Sequence, residues 1–137
     1  MSMKALYKAL VVLGLFHWSE GSGYGQTIEA MPPVVVKSVP ESGSQEVASG
    51  VVEIRVTFSK PMVDQSWSWS GAWKGSEPET IGKPRYEADQ KTCVLKVKLD
   101  PDKTYGYWIN SDKFKGFKDQ RGLAAVPYLL VFKTKAK

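Results

Sequence analysis

The stretch Q-S-W-S-W-S-G-A-W, residues 65–73, holds three of the five tryptophans in a chain of 137 residues. Indole rings can do two kinds of chemistry at such spacing. When they are exposed to solvent, they form a flat platform that stacks on the C–H faces of sugar rings, while nearby polar side chains bond the hydroxyl groups. Packed inward, they fill the core of a small domain. The choice between the two separates a binding module from a structural domain.

Alternation along this stretch favours the core for two of the tryptophans. In an extended strand, Trp67 and Trp69 point to one face and the serines around them point to the other. Small hydroxyl side chains suit solvent, so we expect Trp67 and Trp69 to be structural residues that face inward. Trp73 follows Gly71 and is expected at the strand end or in the loop after it.

A carbohydrate platform is the alternative use of the aromatic residues. Rings for stacking and an amide for hydroxyl groups would then come together, and the predicted ligand-binding residues are Trp73, Trp108, Tyr86 and Asn110. Trp108 lies in T-Y-G-Y-W-I-N, on the opposite strand face from Tyr105 and Tyr107. We expect one of these two faces to be exposed. The platform requires several rings that are exposed and coplanar.

Catalytic chemistry finds little support in the residue pattern. Cys93 is the single cysteine, so no internal disulfide is possible, and its alternation with Leu95 and Val97 predicts a small buried hydrophobe. The single histidine, His17, lies in a segment expected to be removed. No nucleophile-elbow, zinc-ligand or phosphate-loop pattern occurs. The aspartates at 100, 102, 112 and 119 lack the dense alternation of a calcium loop. We predict no catalytic residues, no metal and no cofactor.

The charge of the chain is modestly basic. Lys and Arg total 19 against 14 for Asp and Glu, which gives a formal charge of +5. The densest basic run is K-F-K-G-F-K, residues 113–118, and we interpret it as a solvated strand end. The alternative is an anionic partner such as an acidic polysaccharide, a membrane surface or nucleic acid. No nucleic-acid-binding motif supports the last of these, so we predict no nucleic-acid partner.

Residues 1–25 read as a cleaved signal peptide. Lys4 and Lys8 form a positive region, residues 9–16 (A-L-V-V-L-G-L-F) form an apolar core, and Gly23 and Gly25 stand at the small-residue positions of a cleavage site. Cleavage after Gly25 would leave a linker, residues 26–33, before the domain. The apolar run is too short for a permanent span, and no other run is long enough. The alternative is an amphipathic N-terminal helix that stays attached. We predict an exported protein, periplasmic, cell-surface or extracellular, with no transmembrane segment after cleavage.

Period-two patterns dominate the rest of the chain and predict seven short strands. They cover residues 34–39, 51–58, 66–73, 82–88, 92–99, 104–110 and 127–134. The turn signals between them indicate an all-β fold, a two-layer antiparallel β-sandwich over residues 34–135, with a closed barrel as the alternative. Residues 129–132 are apolar on both faces, which fits a central strand or a strand covered by another domain or partner.

Four motifs follow one another along the predicted domain. They are P-P-V-V-V-K-S-V-P-E-S-G at residues 32–43, I-R-V-T-F-S-K-P-M at 54–62, L-D-P-D-K-T-Y at 99–105, and F-K-D-Q-R-G at 117–122 with Y-L-L-V-F-K-T at 128–134. In this order they resemble the bacterial Ig-like domain of the S-layer protein (SbsA) type. The resemblance covers about residues 32–134 and implies an Ig-like sandwich, an exported setting and no catalysis. The W-S-W-S-x-x-W stretch and the longer loop after it depart from that pattern and point to a subgroup.

Three further residues are predicted to be structural. Tyr105 follows a tight turn and begins a strand, as the tyrosine-corner residue of Ig-like sandwiches does, so its hydroxyl is expected to bond a backbone group near the turn. Asp119 and Gly122 suit a turn, because Asp can bond its own backbone and Gly can take a positive φ.

These patterns together favour a non-catalytic role. We interpret the protein as an exported Ig-like module of the cell envelope that acts through an unknown protein or polysaccharide partner. The second hypothesis is a carbohydrate-binding module that uses exposed Trp and Tyr residues, and a small secreted enzyme is the third.

Overall fold

The computed structural model describes residues 26–137. The predicted signal peptide, residues 1–25, lies outside the described residues. Pro32–Lys137 form one compact unit, and the residues before it belong to a separate unit. In the described part of that separate unit, Ile28–Ala30 form a 3-10 turn. Its N-cap is Thr27, whose hydroxyl accepts a hydrogen bond from the backbone N–H of Ala30 at 3.2 Å.

Pro32–Lys137 fold into two antiparallel sheets packed face to face. The strands are β1 (Val35–Val39), β2 (Gly50–Phe58), β3 (Trp69–Gly71), β4 (Glu79–Thr80), β5 (Arg85–Tyr86), β6 (Thr92–Leu99), β7 (Thr104–Ile109) and β8 (Tyr128–Lys133). One sheet has the order β1-β2-β6, with both β4 and β5 paired to the far edge of β6. The other has the order β3-β7-β8. The predicted antiparallel sandwich is confirmed.

Two of the predicted strands differ in extent from the observed ones. The third strand is limited to Trp69–Gly71, and the predicted fourth strand is limited to Arg85–Tyr86. An additional two-residue strand, Glu79–Thr80, brings the described total to eight. Pro78 comes directly before β4, and Pro84 comes directly before β5. Proline cannot donate to a sheet ladder, so both strands stay short and lie at an edge.

The core forms because alternate residues of the long strands point between the sheets. Its buried side chains come from both layers and comprise Ile54, Val56, Phe58, Cys93, Leu95, Val97, Leu99, Tyr105, Tyr107, Ile109, Leu130 and Phe132. Phe117, from the connection between β7 and β8, enters the same cluster and packs on Phe58 with ring centroids 5.1 Å apart. Removing this apolar surface from water, at about 25 cal/mol per Å², is the main favourable contribution to folding.

β8 has a hydrogen-bonded neighbour along each edge, while one of its apolar faces packs in the core and the other, which carries Leu129, is exposed. On one side it pairs with β7. On the other, residues 42–47 run alongside it: the Gly43 N–H donates to the Val131 carbonyl at 2.6 Å, and the Lys133 N–H donates to the Ser44 carbonyl at 2.8 Å. A parallel bridge between Val47 and Thr134 extends this contact. The backbone of β8 is therefore bonded along both edges, which protects it from pairing with another chain.

The turn between β6 and β7 is pinned by two buried side chains. The Tyr105 hydroxyl accepts a hydrogen bond from the Asp100 N–H at 2.7 Å, which is the tyrosine-corner arrangement. The Thr134 hydroxyl donates to the Asp100 carbonyl at 2.6 Å and accepts from the Lys103 N–H at 2.9 Å. The two sheets are thus tied together at this end of the sandwich.

At the opposite end, residues 110–127 form a long connection that a buried ion pair holds in place. One oxygen of Asp119 accepts hydrogen bonds from the backbone N–H groups of Arg121 and Leu123, both at 2.9 Å. The other oxygen lies 2.6 Å from the ammonium group of Lys60. Gly122, with φ of 83°, closes the turn by donating its N–H to the Asp119 carbonyl.

The ionisation of Asp119 follows from this environment. Burial by itself would raise the pKa of the Asp119 carboxyl group. The hydrogen bond from Lys60 and those from the Leu123 and Arg121 N–H groups outweigh the burial, so the pKa lies below its ordinary value. The folded state therefore prefers the ionised carboxylate more strongly than the unfolded chain does.

We predict that Asp119→Asn lowers the free energy of unfolding at pH 7 by about 3 kcal/mol, because it leaves the Lys60 charge buried beside a neutral amide. The folded pKa of Asp119 is depressed, so its stabilising contribution is present above the unfolded value of about 4 and is lost as pH falls through the folded pKa. Urea unfolding from pH 7 down to pH ~2.5 should show the difference between wild type and variant shrinking below about pH 4.

The exposed pair between Lys133 and Asp102, 3.2 Å apart, provides the matched control. Asp102→Asn should change the free energy of unfolding by less than about 1 kcal/mol. A stability difference for Asp119→Asn that stays the same at acidic and neutral pH would contradict the assignment of Asp119 as the ionised partner.

Candidate functional site

The outer face of the three-stranded sheet has an apolar central part that carries two tryptophans. Residues there alternate with the core residues, and the register sets Trp108 of β7 opposite Leu129 of β8, and Gly106 opposite Val131. Trp73, in the turn after β3, lies over Gly106 on the same face. We call the surface made by Trp73, Gly106, Trp108, Leu129 and Val131 the indole face. Trp73 is 45% exposed and Leu129 is 40% exposed.

Trp73 is held in position by Ser76 and by the absence of a side chain at Gly106. The buried Ser76 hydroxyl accepts hydrogen bonds from the N–H groups of Ala72 (2.8 Å) and Trp73 (3.2 Å) and donates to the Gly106 carbonyl (2.8 Å). The Gly106 N–H returns a bond to the Ser76 carbonyl at 3.0 Å. A Cβ atom on Gly106 would meet the far edge of the Trp73 ring. The indole therefore rests directly on the backbone of β7.

Trp108 forms one wall of an open hollow at the end of the indole face. Pro127 forms a second apolar wall, and Ser111, Asp112 and Lys113 line the rest of a space of about 270 Å³. We call this space the Trp108 hollow. Its polar residues belong to a tight turn in which the Ser111 N–H donates to the Phe114 carbonyl at 2.8 Å and the Phe114 N–H donates to the Ser111 hydroxyl at 3.0 Å. The hollow therefore combines an aromatic surface with a hydroxyl, a carboxylate and an ammonium group.

Asn110, predicted as a ligand-binding residue, is fully buried and serves the fold instead. Its amide nitrogen donates to the carbonyls of Phe117 (3.0 Å) and Ala125 (3.1 Å), and its amide oxygen accepts from the Phe117 N–H (2.9 Å). Its φ of 55° is one that Asn tolerates better than most residues. The side chain offers no surface to a ligand, because its hydrogen bonds hold both sides of the 110–127 connection.

Tyr86, predicted in the same ligand set, lies on the other sheet. Its hydroxyl donates to the Ser66 carbonyl at 2.6 Å, its ring is tilted against Trp67 with centroids 6.5 Å apart, and burial raises the pKa of its phenol. With neighbours that include Met62 and Gln90 it lines an open cleft of about 620 Å³. The structure thus brings together Trp73 and Trp108 but separates Tyr86 and Asn110 from them.

Trp67 and Trp69, predicted to be structural, are partly buried and pack against the core. The Trp69 ring meets Tyr107 edge-on at 5.3 Å and Phe117 at 5.8 Å between centroids. Edge-to-face contacts of this kind suit the aromatic quadrupole. Three of the five tryptophans are thus divided by position: two pack on the core and Trp73 lies on the surface.

Within residues 26–137 the cysteine thiol is buried and the potential metal ligands are dispersed. Burial raises the pKa of the Cys93 thiol to about 12, so the thiol stays protonated at neutral pH. Across residues 26–137, no three His, Cys, Asp or Glu side chains lie close enough to form a metal site. No helix in the same range is both long enough and apolar enough to cross a bilayer.

Sequence reasoning missed the residues that position Trp73 and those that form the polar side of the Trp108 hollow. Gly106, a glycine inside a strand, carried a usable signal, because strand glycines often mark the close approach of another group. Ser76 and the turn at 111–114 carried none, since a serine in a loop of Ser, Gly and Pro is usually solvated.

The fold and the tyrosine corner define the protein as an Ig-like β-sandwich. The family model of the bacterial Ig-like domain matches residues 29–134, and the chain therefore belongs to the bacterial Ig-like domain family. Domains of this family are generally non-catalytic and are typical of surface or exported bacterial proteins. Comparison with curated proteins gives no match.

We predict that Gly106→Ala displaces the Trp73 indole while the sandwich stays folded. The new methyl group would lie 2.7 Å from Cη2 of Trp73, and the ring edge can swing away from it toward solvent. The free energy of unfolding should fall by no more than about 1–2 kcal/mol. Acrylamide quenching of tryptophan fluorescence should rise. Trp73→Phe/Gly106→Ala should quench like Trp73→Phe, and an equal rise in that pair would show that another indole has moved.

Proposed function

We propose that the protein is an exported, non-catalytic Ig-like module of the S-layer (SbsA) type that works in the cell envelope by binding a protein or polysaccharide partner. The indole face is the surface through which it binds. The domain is residues 34–135, preceded by a linker at 26–33 and by a signal peptide at 1–25.

The observation that carries the proposal is the indole face itself. Large apolar side chains are usually buried, and a contiguous exposed group of them is typical of an interaction surface. Here Trp73 and Leu129 are exposed, Trp108 and Val131 lie partly exposed beside them, and the Ser76 hydroxyl bonds the backbone N–H of Trp73. Because the turn that carries Trp73 is already held by hydrogen bonds, little backbone entropy is lost when a partner covers the ring.

The other outer face of the sandwich has a different character. On the five-stranded sheet, Glu53 pairs with Arg55 at 3.0 Å and with Arg85 at 3.1 Å, and Arg55 also pairs with Glu87. The arginines lie on either side of Val94, which is buried although it points outward. Their aliphatic stems cover this valine. Around Val94 the charged side chains are therefore paired with one another, which distinguishes this patch from the indole face.

Export is supported by the pattern of residues 1–25. A positive start, an apolar run and small residues at 23 and 25 are what signal peptidase substrates share. Removal of Lys4, Lys8 and Glu20 lowers the formal charge of the chain from +5 to +4, so the mature protein stays basic.

Expression of the full chain in a bacterial host, followed by fractionation and intact-mass measurement, tests export. We expect a mature chain that begins at Gln26 in the exported fraction. Leu13→Arg, which interrupts the apolar run, should leave the full-length chain in the cytoplasm. Recovery of the uncleaved chain in the exported fraction would favour the attached helix, and cytoplasmic retention of the wild type would overturn the proposal.

The pairing of Trp73 and Trp108 on one face supports a carbohydrate-binding module as the second candidate function. Indole rings stack on the C–H faces of sugars, and both rings are reachable from the same side of the sheet. The indole N–H groups of the two residues bond nothing in the part of the chain that the structure describes, so both can donate to a sugar oxygen.

Affinity electrophoresis against a panel of soluble polysaccharides, run toward the cathode because the chain is basic, tests this candidate. We expect retardation that Trp73→Ala and Trp108→Ala each reduce by about tenfold in affinity, since a stacked ring contributes roughly 1 kcal/mol or more. Val36→Ala, at an exposed apolar position on the other sheet, should change nothing. Retardation that survives both tryptophan variants would remove the indole face from sugar binding.

A further inference from the structure

The Trp108 hollow has the chemistry of a site for a single sugar ring. Trp108 and Pro127 supply two apolar walls, and the polar groups of Ser111, Asp112 and Lys113 stand at the rim. A pyranose has the same division, with C–H faces above and below the ring and hydroxyl groups around its edge. At about 270 Å³ the hollow lies just under the range of 300–1,000 Å³ that suits drug-sized ligands, so it fits one ring rather than several.

We propose that the Trp108 hollow binds one neutral pyranose unit of a glycan, and that the glycan continues along the indole face toward Trp73. The inference rests on the proposed function in its carbohydrate-binding form. It adds a defined subsite. Of the residues that line this subsite, only Trp108 belongs to the ligand-binding set predicted from the sequence.

Asp112 and Lys113 are the groups that bond the sugar edge. The Asp112 carboxylate makes no ion pair or hydrogen bond within residues 26–137, so both its oxygens can accept from neighbouring hydroxyl groups. The Lys113 ammonium lies 5.4 Å from the centre of the Phe114 ring and can donate to a hydroxyl or ring oxygen. Hydrogen bonds that include a charged group are the stronger ones, which suits recognition at an exposed site.

The turn that carries Asp112 and Lys113 is held in one conformation by hydrogen bonds. The two hydrogen bonds between Ser111 and Phe114 fix the backbone on both sides of Asp112 and Lys113. The buried Asn110, one residue before the turn, anchors it to the sandwich through three hydrogen bonds. A site whose backbone is preorganised loses less entropy on binding, so weak individual contacts add up to measurable affinity.

The charges at the rim favour a neutral sugar over an acidic one. One carboxylate and one ammonium stand side by side, so the rim has no net charge. A sugar acid would bring its own carboxylate close to Asp112, and like charges at contact distance cost free energy. Hydroxyl groups, which both donate and accept, satisfy the two rim groups together.

The indole face supplies a place for a second ring. Gly106 and Trp108 are two positions apart on β7 and point the same way, which separates them by about 7 Å along the strand. Trp73 lies over Gly106. A chain that fills the Trp108 hollow can therefore place its next unit against the Trp73 indole, and the two rings then act together.

The experiment uses isothermal titration calorimetry of the mature protein with three probes: neutral hexaoses of β-1,4-linked glucose and of β-1,4-linked N-acetylglucosamine, and polygalacturonate as an acidic probe. We expect binding of at least one neutral hexaose, abolished by Trp108→Ala. Asp112→Asn and Lys113→Met should each weaken it by about tenfold, the loss expected for one hydrogen bond to a charged group. Lys115→Met and Asp102→Asn are the matched controls, because both charges are exposed and lie outside the hollow.

Each contrary result has a distinct meaning. Binding of a neutral hexaose that Trp73→Ala and Trp108→Ala abolish, but that Asp112→Asn and Lys113→Met leave unchanged, would overturn the hollow and keep the indole face. Tighter binding of polygalacturonate, strengthened by Asp112→Asn, would overturn the neutral sugar. Absence of binding to both neutral hexaoses would overturn the subsite, while export and binding of a protein partner would stand on their own measurements.

Discussion

The buried polar groups of the 110–127 connection are the constraint on which the rest of this structure depends. A connection of that length, laid across the end of a sandwich without a disulfide, must satisfy its own backbone groups away from water. Asn110 does so on one side, by bonding Phe117 and Ala125, and Asp119 does so on the other, by bonding Arg121, Leu123 and Lys60.

Between these two anchors, Phe117 reaches the core and joins the two layers. The loop is consequently part of the packed structure, although its sequence is rich in lysine and glycine. Because Asn110 anchors the start of the connection and Asp119 anchors its middle, the turn at 111–114 is presented in one arrangement beside Trp108. The hollow is thus a consequence of how the fold satisfies its polar groups.

The two outer faces of the sandwich differ in the chemistry of their side chains. On the five-stranded sheet, arginine and glutamate side chains pair with one another over Val94, which is buried. On the three-stranded sheet, Gly106 lets the Trp73 ring settle on the strand and Ser76 fixes the turn that carries it. Apolar surface that other small domains would bury is here held open in a defined shape.

The sequence by itself determined the fold class and the long strands, because a period of two is a local property of the chain. The turn at Asp119 and Gly122 could be predicted from the sequence for the same reason, because it is made by neighbouring residues. Only the tertiary structure decided that Asn110 is a buried anchor, that Tyr86 and Trp108 lie on different sheets, and that Ser76 supports Trp73. Those outcomes depend on contacts between segments far apart in the chain, and spacing along one strand carries no information about which segment will pack against it.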